Sequence, residues 1–99
     1  MDYIKTFNDY CNVYFNGKEV RVSNAATKQQ RIVEFERTLN DVINNAEHDF
    51  NVQIDTITNM ANTAGYSDMA TLNHGLKNSV RERLRDFRDK QIQNSGLYD

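Results

Sequence analysis

The stretch CNVYFNGKEVRV, residues 11–22, decides how this chain folds. It holds an Asn-Gly pair, Asn16-Gly17, and both residues tolerate positive φ. Such a pair closes a two-residue β-hairpin or stops a helix. Read as a hairpin, residues 11–15 pair with 18–22. One face is then Cys11, Val13, Phe15, Val20 and Val22, and the other is Asn12, Tyr14, Glu19 and Arg21. This is period-2 alternation on both strands. Read as a helix, Tyr3, Phe7, Tyr10 and Tyr14 recur at i, i+4, i+7 and i+11, and Asn16-Gly17 is the cap. The two-sided alternation favours a short helix over 2–10 followed by a hairpin over about 11–22.

Downstream the signal is helical. Thr27-Lys-Gln-Gln30 has the spacing of a capping box. Ile32, Phe35, Leu39, Val42, Ile43, Ala46, Phe50, Ile54, Ile57, Met60, Ala61 and Ala64 then fall within a stripe roughly 120° wide at 3.6 residues per turn. Val33 and Val52 lie off it. Ile32, Ile43 and Ile54 recur every eleventh position, a period close to that of a straight α-helix. The expectation is one helix over about 27–64, roughly 57 Å long. Asp49–Asn51 is its weakest point. In TAGYSD, Gly65 is a helix stop and Ser67 or Asp68 the next cap. A second helix over about 67–94 carries Met69, Leu76, Val80, Leu84 and Phe87. Gly75 could break it, and Gly96 is placed to end it. The short turn folds it back antiparallel, setting His74 opposite Ile57 and His48 opposite Arg83.

The expected fold is therefore α+β, mostly α, in a single domain over 1–99. Residues 1–23 form a helix plus β-hairpin unit, and 24–99 form an α-helical hairpin. The apolar stripe exceeds what a shorter second helix can cover, so a homodimeric helical bundle is the expected assembly.

The totals exclude several functions. The net charge is −2 on 99 residues, with 38% hydrophobic and 26% charged residues. This is no basic nucleic-acid coat. One cysteine, Cys11, allows no internal disulfide, and no apolar run is long enough to span a membrane. The first residues lack the basic and apolar regions of a signal peptide. Together these imply a cytoplasmic address. Phosphate-binding, dinucleotide-binding, zinc-protease, redox and hydrolase motifs are all lacking. No metal ligand set, cofactor site or catalytic residue is expected, and the chain is read as no enzyme.

Candidate partner-binding residues fall into two groups. Tyr14, Glu19 and Arg21 lie on the outer face of the expected hairpin. Lys77, Arg81, Arg85 and Arg88 flank the apolar stripe of the last helix as a basic ridge. Glu82, Asp86 and Asp89 form an acidic strip beyond it, positioned for i,i+4 pairs such as Arg85/Asp89 and Asp86/Lys90. Thirteen asparagines and no proline give a composition that resembles small phage-encoded accessory proteins. That resemblance implies a protein-binding module that inhibits a host or defence enzyme by occlusion, in the host cytoplasm. A structural or assembly protein, similar to a virion connector, is the alternative. A nucleic-acid binder using the basic ridge is the second.

Overall fold

The computed structural model describes residues 3–98, arranged as α1 (Tyr3–Phe15), α2 (Lys28–Thr63) and α3 (Met69–Ser95). The expected start of the first helix at Asp2 lies outside the described residues. The molecule is a rod of 58 × 18 × 17 Å, its length set by the 36-residue α2. The described residues contain no strand, so the fold is all-α and the expected α+β class is corrected.

The correction falls on residues 11–22. α1 runs through Cys11–Phe15, and the hairpin does not form. Asn16-Gly17 is the helix stop: Gly17 takes φ +71°, and the Lys18 N–H closes onto the Phe15 carbonyl at 3.2 Å. The physical reason is the aromatic face of α1. In helical register Phe7, Tyr10, Tyr14 and Phe15 surround the fully buried Phe50, with ring centroids 4.7–6.4 Å away. A strand would turn Tyr14 away from that cluster. Each such ring pair adds about 0.5–1.5 kcal/mol beyond its area burial, which outweighs two marginal strands.

The second half of the alternation is real but has no partner strand. Residues 18–25 run without turn or bend. Val20 is buried and Val22 half-buried, against Phe35, Leu39 and Leu97, while Glu19 and Arg21 face solvent. The segment is a strap laid across one end of the α2/α3 pair.

α2 and α3 match their expected extents closely. Thr27 caps α2, its Oγ1 accepting the Gln30 N–H at 3.1 Å. No break occurs at Asp49–Asn51 or at Gly75. Gly65, φ +93°, stops α2 just past its last residue, with the Tyr66 N–H on the Ala61 carbonyl and the Gly65 N–H on the Asn62 carbonyl, both at 3.1 Å. That pair of bonds is a Schellman closure. Asp68 precedes α3 in a left-handed conformation without a side-chain cap bond, and Gly96 ends it at φ +69°.

α2 and α3 are antiparallel in the register the short turn dictates: Asn73 meets Thr58, Lys77 meets Asp55 and Arg88 meets Asn40. α1 lies antiparallel to α2, with Tyr14 at Asp49 and Tyr3 beside Met60 and Thr63. Of the α2 stripe, Phe35, Leu39, Ala46, Phe50, Ile54, Ile57 and Ala61 are buried within one chain, because α1 and the strap cover what α3 does not. Val33 and Val52 are exposed, as expected off the stripe. Thr58 is buried as well, a polar position the apolar pattern missed; its hydroxyl donates to the Ile54 carbonyl and accepts from Asn73.

Candidate binding surfaces

Tyr14, expected to face outward, is half-buried. Its ring lies 4.7 Å from that of Phe50, its hydroxyl donates to Asp49 Oδ2 at 3.2 Å, and the Lys18 ammonium sits 3.8 Å above it. Burial, then the Asp49 carboxylate, push its phenol above the usual value. Tyr14 therefore helps to hold α1 on α2.

Glu19 and Arg21 are exposed on the strap, one residue either side of Val20. Val20 is anchored twice. Its side chain enters the core, and its N–H donates to Oε1 of the buried Gln91 at 2.9 Å. Between the strap and α3 runs an open groove of 490 Å³ whose walls include Lys18, Arg21, Lys90 and Asn94. No sequence pattern pairs Gln91 with Val20. A glutamine in line with Leu84 and Phe87 on the buried face was the available signal.

The basic ridge divides when its partners are placed. Lys77 pairs with Asp55 at 3.3 Å. Asn73 also donates to Asp55 at 3.0 Å, and these two donors, Asn73 first, hold the Asp55 carboxyl below its usual value. Arg88 donates to Asn40 at 3.4 Å. Arg81 and Arg85 are exposed and carry no such bond to any described residue. The expected Arg85/Asp89 and Asp86/Lys90 pairs do not close within 4 Å. Arg83, a little more than a third of a turn round the helix from Lys77 and Arg88, instead reaches Asn8 of α1 at 3.1 Å. The ridge thus lies on the flank of α3 away from α1, and no bond joins it to Glu19 or Arg21.

A third surface was not expected from the sequence. At the α2–α3 turn, Met60 is 48% and Tyr66 51% exposed. The Tyr66 ring stands edge-on to Tyr3 at 5.5 Å, and Tyr3, Met60, Thr56, Thr63 and Ala64 line a shallow hollow beside it. Met60 fits the apolar stripe and so reads as core, but beside Tyr3 it stays half exposed. Tyr66 is exposed because the Schellman turn holds its backbone just past the end of α2.

Cys11 is fully buried, and burial raises its thiol pKa; Arg83 acts in the opposite direction more weakly. His48 and His74 are both exposed, and among the described residues no group of three His, Cys, Asp or Glu side chains is placed to hold a metal ion. None of the described helices is long and apolar enough to cross a membrane. No protein-family model, curated protein or solved structure matches the chain.

Proposed function

We propose that this chain is a non-enzymatic protein-binding module that acts in the cytoplasm by covering a surface of its partner. The observation that supports this reading is the apolar tip formed by Tyr3, Met60 and Tyr66. Aromatic residues and methionine are enriched in protein interfaces, and methionine adapts to irregular surfaces. The tip stands at one end of a 58 Å rod, a shape suited to plugging a cleft. Inhibition of a host or defence enzyme by occlusion is the form of this role the sequence favours.

Affinity capture from a lysate of the encoding or host cell tests it. The wild-type chain is expected to retain a discrete partner that a Met60→Lys/Tyr66→Ala variant loses. A partner retained equally by the variant would remove the tip from the proposal.

A further inference from the structure

The groove between the strap and α3 has a floor that donates and a rim that is positive. Gln91 is 6% exposed and lines it. Its Oε1 accepts the Val20 N–H, which fixes the end of the amide that faces the strap. Nε2 is then the other end, and no hydrogen bond to a described residue uses it. Among the described residues every fully buried side-chain nitrogen or oxygen has a partner, so Nε2 is open, and the groove is the opening that Gln91 lines. Lys18, Arg21 and Lys90 stand in the walls, with Glu19 as their one carboxylate. The Lys18 ammonium rests on the Tyr14 ring, and neither Arg21 nor Lys90 closes an ion pair with a described carboxylate. Lys90 lies two turns beyond Arg83, on the flank of α3 nearer α1, so this cluster is separate from the basic ridge.

We propose that this groove binds a phosphate monoester. The walls hold two uncompensated positive charges. A phosphate monoester carries about −1.5 to −2 at neutral pH, which matches them in sign and in size, whereas a carboxylate supplies only about half as much. The guanidinium of Arg21 can take two phosphate oxygens at once, and the lysines add point charges. Gln91 Nε2 supplies a neutral donor at the floor, already oriented by the bond its other end makes to Val20. A donor so nearly buried bonds an anion more strongly than one in open water. At 490 Å³ the groove has the size of a small-ligand site, for which about 300–1,000 Å³ is usual. It lies toward the end of the rod away from the Tyr3, Met60 and Tyr66 tip and does not depend on it.

An NMR titration of the full chain with inorganic phosphate, at fixed ionic strength, tests the site. The Gln91 side-chain amide and the backbone amides of 18–22 should shift and saturate, and those of Arg81 and Arg85 should not. Arg21→Ala/Lys90→Ala should weaken binding by about tenfold or more, and Arg81→Ala/Arg85→Ala should leave it unchanged. Gln91→Glu keeps an oxygen for the Val20 N–H but puts a charged acceptor where the free donor stood. Binding should be lost in that variant while the Val20 amide keeps its protection from exchange. Glycerol phosphate and a phosphoserine peptide then distinguish a small ligand from a modified protein, the source being the one that binds more tightly than inorganic phosphate. Shifts that fail to saturate overturn the proposal. So do a Gln91→Glu variant that binds as wild-type does, indifference to Arg21→Ala/Lys90→Ala, or monoesters that bind no more tightly than inorganic phosphate.

Discussion

Gln91 Oε1 accepts the N–H of Val20 at 2.9 Å, joining residues 71 apart in sequence in a buried bond. It is the point at which the strap is tied to α3. Replacing Gln91 with Leu would strand a buried backbone donor, at a cost of about 1–3 kcal/mol. Chemical denaturation should show that loss. Hydrogen exchange should show the Val20 amide losing its protection while the amides of α2 keep theirs.

Phe50 is the ring on which α1 is built. Phe50→Ala should cost about 3–5 kcal/mol, a large share of the roughly 5–15 kcal/mol expected of a domain. The same measurement on Val33→Ala and Val52→Ala should give changes within about 0.5 kcal/mol, because both side chains are exposed.

Val13 separates the two readings of residues 11–22. In the hairpin it would face inward with Cys11 and Phe15; in α1 it is 76% exposed. Val13→Lys should therefore leave the thermal midpoint nearly unchanged, and a loss above about 2 kcal/mol would contradict the helix. Cys11→Lys, on the buried face two residues earlier, should unfold the chain.

Titratable groups around α1 give a definite sign at high pH. Burial raises the Cys11 thiol, and burial followed by Asp49 raises the Tyr10 and Tyr14 phenols. A group whose folded pKa is raised contributes stability that is fully present below its unfolded value and is lost as pH rises through the folded one. Unfolding should thus become easier as pH climbs past the ordinary thiol and phenol range. Phe in place of Tyr14 should flatten part of that slope. At neutral pH Cys11 should resist alkylation in the native chain and react once it is denatured.

How much of this was legible follows from range. The caps at Thr27, Gly65 and Gly96, the unbroken 36-residue helix and the antiparallel register depend on local pattern, and all appear as expected. Residues 11–22 carried two valid patterns at once. The helix won in 11–15 through contacts with Phe50, some 35 residues away, to which local alternation is blind. The strand pattern survives in 18–22, where Val20 and Val22 do face inward. Of the seven candidate binding residues, Glu19, Arg21, Arg81, Arg85 and Arg88 are exposed, while Tyr14 and Lys77 are half-buried; Tyr14, Lys77 and Arg88 each carry a side-chain bond to α2. Their partners Asp49, Asp55 and Asn40 belong to α2, and only the folded register brings them near. Met60 misled for a different reason: the stripe continues through it, but it lies at the rim of the hollow beside Tyr3 and stays half exposed while its neighbour Ala61 is buried.

The most direct test of the protein-binding role is calorimetry of the captured partner at two salt concentrations. Burial of the Tyr3, Met60 and Tyr66 tip predicts a negative heat-capacity change and weak salt dependence. Tyr66→Ala should weaken binding by about thirtyfold, near 2 kcal/mol, as at an interface hot spot. An affinity that falls steeply with salt, is lost in an Arg81→Ala/Arg85→Ala/Arg88→Ala variant and is indifferent to Tyr66→Ala would contradict this account, because it would place binding on the basic ridge against a phosphate backbone.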